Sequence, residues 1–187
     1  MDHYIEIRVL PDPEFPANHL MSALFSKLHR ALVAVAEGEI GISFPDAASE
    51  RPRLGERLRV HGSAAALDRL MDLDWLKGMR DHVSIQGPAA IPETVRFRTV
   101  SRVQAHSSPE RMRRRLMKRH EIDVEHAKQQ IPDSAAEYLN LPYLEIRSQS
   151  TGQRFRLFVR QGLIKEAPTP GRFSTYGFSD HATVPWF

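Results

Sequence analysis

Two groups of residues in this chain have the types and spacing to do chemistry. The first is the histidines, nine of them: His3, His19, His29, His61, His82, His106, His120, His126 and His181. Histidine exchanges protons near neutrality, which suits general acid–base work. Spacing alone selects none of the nine. His29 stands beside Leu28 and four residues after Phe25, at the edge of an apolar stripe where a packed helix-edge histidine would also stand. His120 and His126 flank Glu121, Asp123 and Glu125 in a spacing that fits no ligand pattern, so no metal is expected. The second group is the run PERMRRRLMKRH. Arg111, Arg114, Arg115 and Lys118 recur at helical spacing and fall on one stripe about 100° wide, with Arg119 beside it. Like charges on one helical face repel, so the stripe calls for an anion. Phosphates would answer, and so would an acidic protein surface. Just upstream, Arg96, Arg98, Arg102 and Gln104 alternate along a strand. Arginine pairs with the guanine edge and glutamine with the adenine edge, although such a face can also simply be solvated.

Charge separates the chain into halves. Residues 1–95 carry 10 Lys/Arg against 14 Asp/Glu, and residues 96–187 carry 16 against 9, so a net charge of +3 hides a basic second half. Of those later cations only Lys118, Lys128 and Lys165 are lysine. Arginine's planar fork suits phosphate and guanine better than a point charge does, and the asymmetry points to a polyanion. There is no cysteine, which excludes a disulfide framework and any thiolate zinc site. No run of 18 apolar residues exists, and MDHYIEIRVL lacks the basic and apolar blocks of a signal peptide. A cytoplasmic location without membrane contact is expected.

The elements that must position these groups follow from periodicity. Ile5, Ile7 and Val9 alternate as a half-buried strand. PDPEFP is punctuation, and Leu20, Leu24, Leu28 and Leu32 mark a helix over about 18–36. Residues 40–44 read as a strand, Leu58 and Val60 as another, and Ser63 caps a helix with Leu67, Leu70 and Met71 on its inner side. Val83 and Ile85 mark a fourth strand. The order βαββαβ is that of a ferredoxin-like unit. GPAAIPET (87–94) reads as a linker where the charge balance changes sign. Beyond it, Pro109 opens the arginine-rich helix at about 108–120, with Met112 and Leu116 as its docking face. A short helix ends near Pro132. Residues 143–149 and 154–160 form a hairpin, and a further strand carries Phe173 and Tyr176. The expected class is α+β: a ferredoxin-like domain at 1–94, and a smaller α+β domain at 95–187 that carries the basic helix, and which the family resemblance given below makes the RNA-binding domain.

The segments MDHY, PDPEFP, LMSALFSKLHRAL, GERLRVH, VSRVQAHSSPERMRRRLMKRH, RSQSTGQRFRLFVR, STYGFS and the terminal VPWF together resemble the type I-F CRISPR-repeat endoribonucleases, in order and over nearly the whole chain. The resemblance implies an enzyme that binds the hairpin of each CRISPR repeat and cuts the precursor RNA at the 3′ base of the stem. The cut would use the RNA's own 2′-OH, need no metal or cofactor, and leave a 5′-OH and a 2′,3′-cyclic phosphate or its opened 3′-phosphate. The product would stay bound and join other proteins of a type I-F surveillance complex. The same resemblance makes His29 the general base, Ser148 the residue that holds the 2′-OH, and Tyr176 the partner that orients the imidazole. It makes Phe155 a platform for the last base pair of the stem. Arg102 and Gln104 would read bases, while Arg111, Arg114, Arg115, Lys118 and Arg119 would grip the groove and loop-side phosphates.

Residue by residue, blander readings stand beside these. Phe155 is in register with Leu157 and Val159 as a core strand aromatic, Ser148 is an ordinary strand hydroxyl, and Tyr176 is a half-buried strand tyrosine. The family commonly has arginine where Lys118 stands, and the match is loose around the linker and over 161–173. The alternative function is a non-catalytic hairpin-RNA cap of a CRISPR ribonucleoprotein. An RRM-like module is disfavoured, because its glycine- and aromatic-rich signature is absent.

Overall fold

The computed structural model describes the chain except residues 36–37, 49–51, 105–108, 133–138 and 148–151, and gives only the backbone of Arg111. Ser148, with Ser107, Ser108 and the tip of the expected hairpin, therefore lies outside the described residues. By contacts, Met1–Val103 and Leu141–Phe187 form one compact unit and Gln104–Asn140 another. The expected boundary at 94/95 falls between the two sheets of the first unit.

The fold is α+β. Strands β1 (His3–Val9), β2 (Gly41–Ser43), β3 (Arg57–Gly62) and β4 (Val83–Ala90), with helices α1 (Ala17–Val35) and α2 (Ala64–Met71), follow the order read from periodicity. Their sheet runs β2-β3-β1-β4 with every neighbour antiparallel. That is the strand order that two split βαβ units give. The alternation of β1 buries Ile5, Ile7 and Val9, and the stripe of α1 buries Leu20, Leu24, Leu28 and Leu32 against them. Ser63 caps α2, its hydroxyl accepting from the Ala66 amide at 3.2 Å. Leu67 and Leu70 are buried while Met71 is only partly so.

The linker reading of 87–94 is corrected in its first half. β4 runs on through Gly87 and Pro88, with Ala89 and Ala90 opposite Tyr4 and His3. A proline is tolerated there because β4 is an edge strand and need not donate outward.

The second sheet holds β5 (Arg96–Val103), β6 (Tyr143–Arg147), β7 (Arg154–Lys165) and β8 (Thr183–Trp186) in the order β6-β7-β5-β8, all antiparallel. β6 and β7 pair from Tyr143↔Phe158 to Arg147↔Arg154. Its inner face (Val100, Leu144, Ile146, Leu157, Val159, Val184) joins the core of the first sheet. α1 lies along the free edge of β6, where the Glu145 amide donates to Ser22 Oγ at 3.1 Å. The expected strand at Phe173–Tyr176 is instead irregular chain and a turn. Pro168, Pro170 and Gly171 precede it, and its two aromatics are spaced by three, which a strand's period of two cannot place on one face.

In the second unit, Pro109 is the first residue of α3 (Pro109–His120) and Asp123 caps α4 (Val124–Gln130), its carboxylate accepting from the His126 amide at 2.9 Å. That bond chiefly holds the Asp123 carboxyl below its ordinary pKa. The His/Asp/Glu cluster seen in the sequence is thus a helix start. Met112 is exposed rather than docked, and Arg113 takes the inward role by donating to the Ile131 carbonyl at 2.7 Å. Among the described residues no helix is long and apolar enough to cross a membrane.

Candidate active site

Among the described histidines, His29 is held by a backbone carbonyl and a stacked ring together. His29 sits on the rim of α1, one turn past buried Phe25. Its Nδ1 lies 2.8 Å from the backbone carbonyl of Thr175. A carbonyl oxygen can only accept, so Nδ1 carries the hydrogen and the Nε2 lone pair is left free. The ring is further fixed by Tyr176, stacked on it with centroids 3.8 Å apart and planes within 5°. Tyr176 in turn lies over Phe25, at 6.3 Å and 10°. The imidazole therefore has one tautomer, one plane and a supported back.

Both partners come from a single turn, and the turn is built for close approach. Ser174 accepts at its carbonyl from the Gly177 amide at 2.8 Å, and its own amide donates to the Phe178 carbonyl at 2.8 Å. Gly177 then accepts from the Ile42 amide at 3.1 Å, which ties the turn to the edge of β2. Gly177 has φ +74°, and a Cβ there would stand 2.7 Å from Ile42 Cγ2. Only glycine fits both the dihedral and the gap. Phe178 is buried against Phe25, with ring centroids 5.6 Å apart.

Arg102 and Phe155 join this cluster. β5 puts Arg98, Val100 and Arg102 on one face, as the alternation predicts, but that face is the inner one, where Val100 is 2% exposed. At the rim, the Arg102 guanidinium lies 5.6 Å from the Phe155 ring centroid and 5.4 Å from that of Tyr176. Its Nε is buried, with no hydrogen-bond partner among the described residues. Phe155 is half-buried, with Leu157 and Val159 beyond it on the same face of β7. It is at once the end of the core and part of its accessible rim, so the strand-aromatic reading and an exposed edge hold together. His29, Tyr176, Arg102 and Phe155 are thus brought into one chain of contacts, while Ser148 lies outside the described residues.

The remaining predicted residues belong to the second unit. Gln104 is its first residue and is exposed. Arg114, Arg115, Lys118 and Arg119 are exposed along α3, and Arg111 is within the same helix. Lys118, Arg119 and His120 occupy the last turn, where cations are favoured by the helix dipole.

The reading of residues missed the Thr175 carbonyl, because a backbone acceptor leaves no mark in composition. The tetrad Ser-Thr-Tyr-Gly was the available signal, since such residues make turns. A second histidine is held quite differently. His61 is fully buried, with Nε2 2.8 Å from Ser43 Oγ, and burial lowers its pKa to about 3. It is a neutral structural group. Among the described residues no group of three or more His, Asp or Glu side chains is placed to hold a metal ion.

Known proteins match this chain along its full length. The sequence profile of a family described as CRISPR-associated protein (Cas_Csy4) matches residues 4–187. A curated protein of Pseudomonas aeruginosa (strain UCBPP-PA14), named CRISPR-associated endonuclease Cas6/Csy4, is 54% identical over 187 residues, with 100% of both chains covered. One of the same name from Escherichia coli (strain UTI89 / UPEC) is 47% identical, again over 100% of each.

Proposed function

We infer the function from the premise that this chain belongs to the Cas_Csy4 family of CRISPR-associated proteins. It is a CRISPR RNA endonuclease. In our finer reading it binds the hairpin of a CRISPR repeat, cuts the precursor at the 3′ base of the stem without a metal, and keeps the product. The reading carries a cytoplasmic location and partnership with the other proteins of a type I-F surveillance complex. It also assigns the ferredoxin-like part to 1–94 and the RNA-gripping part to 95–187.

The observation that carries this reading is the single tautomer of His29. A base for RNA cleavage must accept a proton from a 2′-OH, and the Thr175 carbonyl leaves Nε2 as the accepting atom. Nε2 takes the 2′-proton as the 2′-oxygen bonds to phosphorus. The P–O5′ bond then breaks, and the 5′-oxygen is protonated by the imidazolium, directly or through water. The products are a 2′,3′-cyclic phosphate and a 5′-OH. Tyr176, stacked on the ring, keeps the plane of the imidazole fixed while its charge changes. In this reading Ser148 holds the 2′-OH. Phe155 carries the last base pair of the stem, a stacking contact worth about 1–3 kcal/mol. Arg102, beside it, and Gln104 read bases. Arg111, Arg114, Arg115, Lys118 and Arg119 bind phosphates, and their exposure on α3 supports that role.

The test is cleavage of a repeat hairpin RNA in EDTA by wild type and His29→Ala, with a second substrate that has a 2′-deoxy sugar at the cut. We expect wild type to cut, and both changes to slow cutting by roughly 10²–10⁴-fold with hairpin binding intact. Binding without any wild-type cutting would leave the RNA-cap function. A requirement for Mg²⁺, or indifference to the 2′-deoxy sugar, would overturn the mechanism.

A further inference from the structure

Arg147 and Arg154 face each other directly across β6 and β7. Like charges in directly opposed positions destabilise a strand pair. Among the described residues neither arginine has a carboxylate partner. Arg147 Nε donates to the Gly152 carbonyl at 3.3 Å, and both side chains are exposed. Such a pair is stable when an anion lies between its members.

The pair also lines a cleft. A cavity of about 300 Å³ runs between α1 and the free edge of β6, walled by Arg147 and Arg154 on one side and by His19, Ser22 and Ser26 on the other. That is the small end of ligand-sized clefts, which run from about 300 to 1,000 Å³. His19, Ser22, Ser26 and His29 follow one another at helical spacing, so the helical wall leads toward the imidazole. Ser26 spends its hydroxyl hydrogen on the Ser22 carbonyl at 2.7 Å, so the donors left for an anion are those of the two arginines. Glu145 is the one acid in the cleft, and it stands opposite Arg156 in the strand register. The larger neighbouring cavity, about 350 Å³, adds Glu56 to Glu145 against Arg53 and His19, a balance that repels a polyanion. The anion site therefore ends at the first cleft.

We propose that the Arg147–Arg154 cleft is a phosphate subsite for the strand that leaves the cut, taking the RNA immediately 3′ of the scissile bond. The inference rests on the function proposed above. Residues 154 and 155 are neighbours on β7 and point to opposite faces of the sheet. If the stem ends on Phe155, at the inner face, the strand that continues past the cut lies toward Arg154 and Arg147, on the outer one. Holding that strand fixes the line from the attacking 2′-oxygen through phosphorus to the departing 5′-oxygen. The expected effect is on the cleavage step and not on hairpin affinity.

The experiment compares single-turnover cleavage of repeat hairpins that carry one, two, four or eight nucleotides beyond the cut, by wild type and by the double variant Arg147→Gln/Arg154→Gln. A thermal melt monitors folding, and affinity is read on a hairpin that ends at the stem. We expect wild type to cut the longer tails faster than the one-nucleotide tail, on the order of tenfold. The double variant should lose that advantage and keep its hairpin affinity and melting temperature. A wild-type rate indifferent to tail length would overturn the subsite alone. So would a variant slowed equally on every tail, because the arginines would then serve the scissile phosphate. A wild type that cuts no tail overturns the function reading, and this inference with it.

Discussion

The His29 turn and the α3 helix hold their polar side chains in opposite ways. At His29 the ring is held by the protein: a carbonyl on Nδ1, a ring on its face, a phenylalanine behind that ring. The site borrows its rigidity from the core of the first unit. On α3 the charged side chains reach into solvent, and the helix is held by a small apolar and hydrogen-bonded contact with α4 through Arg113 and buried Ala127. Proton transfer needs fixed geometry before the substrate arrives, because a misplacement of about 1 Å can cost about 10² in rate. Phosphate gripping needs charge, and charge acts at a distance that tolerates movement. Damage to the two regions should therefore separate cleanly into rate and affinity.

The largest expected separation comes from charge reversal on α3. Arg114→Glu/Arg115→Glu should weaken hairpin binding by roughly 10²-fold at low salt and flatten the slope of log affinity against log salt by about one for each lost phosphate contact. Saturating protein should still cut at close to the wild-type rate. A fall in the saturated rate, with affinity unchanged, would erase the contrast between the two regions.

A smaller effect, on the other side of the contrast, is expected at Gly177. Gly177→Ala puts a methyl group 2.7 Å from Ile42 Cγ2 at φ +74°, which costs about 1–3 kcal/mol and pulls the Thr175 carbonyl away from His29. The measurable signs are a slower saturated rate with unchanged hairpin affinity, and partial recovery when Ile42→Ala makes room. A variant that bound RNA poorly but cut at the normal rate would show that the turn does not serve the base.

The smallest effect concerns His61, which contrasts with His29 within one unit. Its folded pKa is lowered from 6.5 to about 3 by burial. The unfolded chain therefore binds a proton that the folded one refuses between those values. Stability from this group is whole above pH 6.5 and falls as the pH drops through that window, by about 2 kcal/mol at pH 5. Asp46, which its hydrogen bond from Arg57 chiefly holds below 3.8, adds a loss of its own as the pH falls toward that value, below the pH 5 at which the comparison is made. Chemical denaturation at pH 7 and pH 5 should show the loss in wild type and a reduced loss in His61→Gln. An equal loss in both would move the acid sensitivity elsewhere.

Much of the fold was legible in the residues, for reasons that are local. The alternation of Ile5, Ile7 and Val9 and the four-residue spacing of Leu20 to Leu32 each specify one buried face. Such faces leave few ways to stack two helices on one sheet. The arginine stripe of α3 is likewise a property of spacing alone. Where local rules conflicted, the structure decided. GPAAIPET has the punctuation of a linker, yet β1 recruits its first half as an edge strand. Phe173 and Tyr176 lie among strand-like residues, yet prolines and glycines turn them into the loop that meets His29. Arg102 alternates along a strand that reads as exposed, yet its face is the inner one, which it shares with buried Val100.

The sequence by itself determined the α+β class, the βαββαβ order and the basic helix, since these depend on residues a few positions apart. Only the tertiary structure gave the His29 ring its Nδ1 partner, a carbonyl 146 residues away. Only the register of β6 on β7 put Arg147 against Arg154. Hydrophobic periodicity fixes which side of an element turns inward. Which two elements then meet, and which atoms they bring within hydrogen-bonding distance, is settled when the whole core closes.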